Sequence, residues 1–174
     1  DPAPRDIIDQ ERWLAAIQEP AAPFAVYRGD DWPTTTLPAF EAVWCAERQG
    51  HDIGLDYDLR VRRAFFAESR NIGRRDVLEA LAAEAGLDMD RFARDFASGE
   101  ARPAIEEELR LGRERYNVRG TPTLMLPDST KLRHPLAYPE MEDRIVTGIA
   151  PLPCCGEACI EATRALVARA LPQN

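Results

Sequence analysis

Apolar residues recur every three to four positions through most of the chain before residue 117, and beyond it the pattern changes to a strand-like stretch ending in Leu124-Met125-Leu126. The first helical pattern covers residues 6 to 18, with Ile7, Ile8, Trp13, Leu14 and Ile17 on the apolar side, and Pro20 and Pro23 end it. Phe24-Ala25-Val26-Tyr27 reads as a short strand. After the loop Asp30 to Thr36, Thr35 or Thr36 caps a helix with Pro38 in its first turn. That helix is expected to bury Leu37, Phe40, Val43 and Trp44 and to stop at Gly50. From Leu55 to Arg70 a second helix sets Val61 and Phe65 four apart, with Leu55, Leu59 and Phe66 near one stripe and Arg60, Arg62 and Arg63 on the other side. The next spans Val77, Leu78, Leu81, Ala82 and Ala85, and Gly86 is its left-handed cap. Asp88 caps a fourth, carrying Met89, Phe92 and Phe96 and ending near Gly99. Residues 100 to 116 make a fifth, with Ile105, Leu109, Gly112 and Tyr116 on one face.

The character changes at Val118-Arg119-Gly120-Thr121-Pro122-Thr123-Leu124-Met125-Leu126, the one well-marked buried strand. A proline cannot donate to a strand ladder, so Pro122 belongs at the first strand position, where the Thr121-Pro122 bond tolerates cis at modest cost. The dipeptide alone favours trans, since roughly one X-Pro bond in twenty is cis in folded proteins. A strand over Lys131 to His134 follows, then an irregular link through Pro135, Pro139, Pro151 and Pro153, then a helix from about Gly156 to Leu171. No repeat or linker divides the chain, so its 174 residues read as one domain: an N-terminal segment 1–33, a helical part 34–117 and a β-β-α part 118–174.

Charge narrows the partners. Thirty acidic residues against 22 basic ones give a net charge of -8, which argues against a nucleic-acid backbone or an anionic membrane. No apolar run approaches the ~18 residues that cross a bilayer. Asp1-Pro2-Ala3-Pro4 has neither an initiator Met nor a basic and apolar leader, so further sequence is expected upstream of it. Cysteine usage without an export signal fits the reducing cytosol.

Candidate chemistry lies in Pro153-Cys154-Cys155-Gly156-Glu157-Ala158-Cys159 at the start of the last helix. Thiols in a first helical turn meet the positive end of the dipole and unpaired N–H groups, which favours the thiolate. Cys155 and Cys159 are four apart, about 6 Å between Cα atoms on a helix and within disulfide range, whereas Cys154 reaches Cys159 only from a preceding turn. Zinc held by these thiols with His134 or Cys45 lacks a second Cys-x-x-Cys or a His pair. Inert buried thiols stand at even odds with reactive ones. Cys45 beside Trp44 reads as packing and His51 as surface. No metal site is called. The arginines at 60 to 63 and 70 to 75 leave glutathione open as an anionic ligand.

The Val-Arg-Gly-Thr-Pro-Thr segment resembles the cis-proline loop of the thioredoxin superfamily, in its DsbA/FrnE-like branch. Arg63-Ala64-Phe65-Phe66-Ala67-Glu68-Ser69-Arg70-Asn71-Ile72, Asp76-Val77-Leu78 and Glu84-Ala85-Gly86-Leu87-Asp88 are similar to the helical insertion of that branch. The resemblance covers roughly residues 34 to 171. It implies a thioredoxin-like α/β fold with a large helical insertion, its first strand and redox Cys-x-x-Cys lying upstream of this sequence. It also implies a cis bond at Pro122, with Gly120, Thr121 and Pro122 pairing with an extended substrate, and an accessory Cys-x4-Cys similar in place to Cys154 and Cys159. The implied activity is thiol-disulfide exchange on protein or peptide substrates, with weak insulin reduction by these 174 residues alone, no resident cofactor and a homodimer as one assembly. Two other readings remain: a glutathione-dependent isomerase or transferase of the kappa or hydroxychromene-carboxylate type, and a non-catalytic peptide-binding module.

Overall fold

The computed structural model describes residues 4–18, 20–119, 123–126, 129, 131–133, 139–143, 145–149 and 157–170. They fall into two compact units, Asp1–Leu109 and Arg110–Asn174. The first is helical: α1 (Arg5–Gln18), α2 (Leu37–Glu47), α3 (His51–Phe66), α4 (Arg75–Glu84), α5 (Met89–Ser98) and α6 (Ala101–Glu114), whose last turn belongs to the second unit.

Local signals bound α4 and α5 where the residues predict, but the helix expected over Leu55 to Arg70 runs instead from His51 to Phe66, directly behind Gly50. The Asp88 carboxylate accepts from the Arg91 N–H at 3.0 Å at the start of α5, and Gly99 closes it at φ 77°. Gly86, also at φ 77°, follows α4. Thr36 occupies the N-cap of α2 without a side-chain bond, while Thr35 Oγ1 accepts from the Leu37 N–H at 3.2 Å.

The buried faces of α2 and α3 differ from the expectation. Small residues, not the large ones, form the inner side of α2: Ala39, Ala42, Cys45 and Ala46 are buried, Leu37, Val43 and Trp44 are half-buried, and Phe40 is 57% exposed. On α3 the inner face is Gly54, Tyr57, Val61, Ala64 and Phe65, and Leu55 and Leu59 lie outside at 51% and 65% exposure. The cause is close approach. A Cβ built on Gly54 would stand 2.8 Å from the Cα of Glu47, so α3 meets α2 backbone to backbone and bulky side chains are displaced to the rim. Leu78, Leu81 and Phe92 complete the core from α4 and α5, and the Tyr57 hydroxyl donates to the Leu78 carbonyl at 3.0 Å. On α6, Ala101 and Ile105 are buried while Leu109 is exposed, and Tyr116, expected on the same helical face, lies beyond the end of α6 and is exposed.

Phe24 to Tyr27 is not a strand. Its backbone groups are satisfied one by one: Ala25 N–H donates to Phe66 O at 2.9 Å, Tyr27 N–H to Asp9 Oδ1 at 3.1 Å and Arg28 N–H to Ser69 Oγ at 2.8 Å. Arg12 and Arg5 donate to the carbonyls of Ala25 and Tyr27 at 3.3 and 2.7 Å. Side chains of α1 supply what a neighbouring strand would otherwise supply.

In the second unit β1 (Thr123–Met125) pairs antiparallel with β2 (Lys131–Arg133), Leu124 opposite Leu132. The link expected to be irregular holds a second hairpin, β3 (Pro139–Glu142) with β4 (Ile145–Ile149), carrying a register shift between Glu140 and Met141 and Asp143 at φ 47° in its turn. Pro139 sits at the first strand position, the place where a missing N–H costs least. Helix α7 (Glu157–Ala170) ends the described chain. Among the described residues no helix is long and apolar enough to cross a membrane.

Candidate functional site

The approach to the proline loop is built by the end of α6. Arg115 and Tyr116 N–H groups both donate to the Leu111 carbonyl, and the Val118 N–H donates to Gly112 O at 2.8 Å. Asn117 takes φ 47°, a conformation that Asn tolerates better than most residues, and its Oδ1 accepts from Arg119 Nε at 2.6 Å. The chain is thereby turned out of the helix toward β1, whose Thr123 and Met125 are half-buried and whose successor Leu126 is buried. Gly120, Thr121 and Pro122, expected to pair with substrate, lie outside the described residues.

Of the cysteine cluster, Cys159 falls in the first turn of α7, two residues after the first helical position, Glu157. Cys154 and Cys155 lie outside the described residues, as does His134. Glu157 is exposed and stands 3.7 Å from Arg164.

Cys45 is fully buried, and burial, reinforced by the negative charge of Asp95, pushes its thiol up to about 11 from an ordinary 9.0. Such a group is neither nucleophile nor ligand near neutral pH, and no group of three or more metal-binding side chains occurs among the described residues. The folded state holds Cys45 protonated while the unfolded chain ionises it from about pH 9. Its contribution to stability is therefore whole below pH 9 and is lost as pH rises toward 11, by about 2–3 kcal/mol. Denaturant melts at pH 8 and 10.5 are expected to show that decline in the native chain and a smaller one in Cys45→Ala, with Tyr27 and Tyr57, which burial raises in the same direction, contributing to the remainder.

The arginines singled out as an anion site are each held by a neighbouring carboxylate. Arg60 meets Asp56 at 2.6 Å, Arg62 Asp58 at 2.7 Å, Arg63 Glu68 at 3.1 Å, Arg70 Glu84 at 3.2 Å, Arg74 Asp76 at 2.6 Å and Arg75 Glu79 at 2.7 Å. His51 is exposed at the first position of α3.

Two features escaped the sequence patterns. Arg12, on a helix whose apolar residues alone drew notice, is buried, with its guanidinium 4.1 Å from the Phe65 ring centroid and 5.2, 5.4 and 5.7 Å from those of Phe66, Tyr27 and Trp32. Desolvation lowers its affinity for the proton. The second is a cleft of about 500 Å³ between residues 22–24 and the end of α3. An exposed leucine on an apolar stripe was the available signal for it, but a stripe looks the same whether it is covered or open.

The Thioredoxin family model matches residues 25–138, more than half of the chain. Over 124 residues, 69% of this chain and 60% of the relative, the sequence is 31% identical to the uncharacterized protein YwbO of Bacillus subtilis (strain 168). It is also 31% identical to the ClpXP adapter protein SpxH of Shouchella clausii (strain KSM-K16) over 115 residues, 65% of this chain and 37% of that protein. SpxH of Bacillus licheniformis matches at 31% over 90 residues, 52% of this chain and 30% of the relative. The chain thus spans 60% or less of the length of these curated relatives. The extent of the family match, with the β1–β2 hairpin behind Pro122, places this chain in the thioredoxin family.

Proposed function

We propose that this chain is part of a protein thiol-disulfide oxidoreductase of the DsbA/FrnE-like branch, a single functional domain working in a reducing cytosol. The observation that carries the reading is the position of Cys159 in the first turn of α7 within a thioredoxin-family chain. Thr121 and Pro122 present an extended edge to the substrate backbone. A thiolate of the cluster, formed by loss of its proton to solvent, attacks one sulfur of a substrate disulfide and expels the other as a thiolate. A second cluster thiolate then attacks the mixed disulfide. The substrate leaves with two thiols, the two electrons having come from the cluster, which is left as a disulfide between Cys159 and Cys154 or Cys155. Two molecules of glutathione return it to the dithiol and leave as glutathione disulfide.

The test is electron transfer from the pre-reduced chain to a disulfide-bonded model protein, followed by acid quench and thiol labelling. Disulfide in the cluster matched by two new substrate thiols supports the reading, and an unchanged cluster beside an unchanged substrate contradicts it.

A second reading is favoured by the ClpXP adapter role of the SpxH relatives and by the inertness of Cys45: a non-catalytic module that holds protein partners. The two separate on a cysteine-free variant, which on the second reading keeps its partners and on the first keeps only weak binding. The glutathione-dependent isomerase reading has less support, because neither the family match nor the names of the relatives point to it.

A further inference from the structure

We infer that the cleft between residues 22–24 and the end of α3 is a docking site for an acidic, apolar peptide segment of a partner protein. This surface needs no thiol, so it stands or falls apart from the oxidoreductase reading. The cleft holds about 500 Å³, within the range of specific ligand pockets, and its apolar lining comes from Pro23, Phe24, Leu59, Phe66 and two alanines. Leu59 at its edge is 65% exposed although it is a large aliphatic residue on a rigid helix. A smaller hollow of about 170 Å³ shares Arg62 and Phe66 with it and extends the apolar strip past Phe40 and Val43, toward α2.

Charge complementarity selects the occupant. Among the described residues, the charged side chains lining the larger cleft are Arg62 and Arg63, in a chain of net charge -8. Each engages its local carboxylate through Nε, Asp58 at 2.7 Å and Glu68 at 3.1 Å, and both guanidiniums are largely exposed. Exposed pairs of this kind contribute little, and the planar fork has further N–H groups for an incoming carboxylate. A third positive charge stands behind the wall. Arg12 stacks against Phe66 and donates to the carbonyl of Ala25, next to Phe24, while its Nε and Nη2 are buried without a hydrogen-bond partner among the described residues. An apolar cleft lined by two arginines, with a third buried behind its wall, fits a segment whose leucine or phenylalanine anchors fill the hollow and whose Asp or Glu residues meet the rim. A lysine-bearing segment of the same shape is repelled.

The experiment is fluorescence anisotropy on the intact chain under reducing conditions, with a labelled peptide that sets two leucines four positions apart between glutamates, and a counterpart with lysines for the glutamates. The acidic peptide is expected to bind about tenfold or more tightly than the basic one, and R62E/R63E to reverse that order. Leu59→Ser, at an exposed position that leaves the core intact, is expected to weaken the acidic peptide alone. Equal binding of the two peptides, binding of neither, or an order unchanged in R62E/R63E would overturn the assignment. So would a dimer in analytical ultracentrifugation that Leu59→Ser dissolves and the acidic peptide does not, since a second copy would then fill the cleft.

Discussion

Gly54→Ala is expected to lower the unfolding free energy by about 1–3 kcal/mol, although the change adds one methyl group and improves helix propensity. Its Cβ would stand 2.8 Å from both the Cα and the Cγ of Glu47 and 3.1 Å from the Glu47 nitrogen. Cγ can swing away, but the two backbone atoms belong to α2, whose buried face carries the packed residues Ala39, Ala42, Cys45 and Ala46. Relief therefore requires α2 and α3 to separate, and the strain spreads into the buried Tyr57 and Val61. Gly112→Ala is the control of opposite sign. It lies in α6, no atom of the described residues stands within 4 Å of its Cβ position, and alanine there is expected to add about 0.5–1 kcal/mol. Urea melts of the two variants read both numbers. A neutral Gly54→Ala would mean that the two helices do not meet as closely as the structure shows.

The second large effect is expected at Cys159. If the cluster exchanges disulfides, Cys159→Ser removes the one member that both candidate pairs share, and no reversible intramolecular disulfide should form at any glutathione ratio. Cys154→Ser and Cys155→Ser divide the remaining question, because only the variant lacking the true partner should behave like Cys159→Ser. On a regular helix the four-residue separation of Cys155 and Cys159 spans about 6 Å, within disulfide range, whereas Cys154 reaches Cys159 only from a preceding turn. Mass spectrometry of the oxidised single variants decides it. Retention of a disulfide between Cys154 and Cys155 in Cys159→Ser would contradict the assignment of Cys159.

What was legible in the sequence is what neighbouring residues decide. Asp88, Gly86 and Gly99 stop or start helices by bonds and backbone angles reaching no further than one turn, and those boundaries held. The apolar face of α3 was misjudged because Leu55 and Leu59 are as hydrophobic as Val61 and Phe65, and only the approach of α2 at Gly54 decides which side is covered. The strand expected at Phe24 failed for a related reason: Arg5, Arg12 and Asp9 on α1 take up its backbone groups, an arrangement that no local pattern announces. The β3–β4 hairpin was hidden by Pro139, read as a link residue, and by a turn without the usual Asn-Gly or Asp-Gly pair. For the site, Cys159 was placed in a first helical turn from its spacing and position, and the helix begins there. Arg12 and the cleft below Phe24 were not legible, since a buried charge and an open hollow depend on elements far apart in the chain.

The most direct measurement of the redox claim is thiol counting on the native chain across graded ratios of reduced to oxidised glutathione, with mass spectrometry to locate each bond. The account predicts one reversible disulfide joining Cys159 to Cys154 or Cys155, while Cys45 stays reduced and unlabelled until the chain is unfolded. Four thiols that never change state, or a Cys45 that reacts in the folded protein, would contradict it.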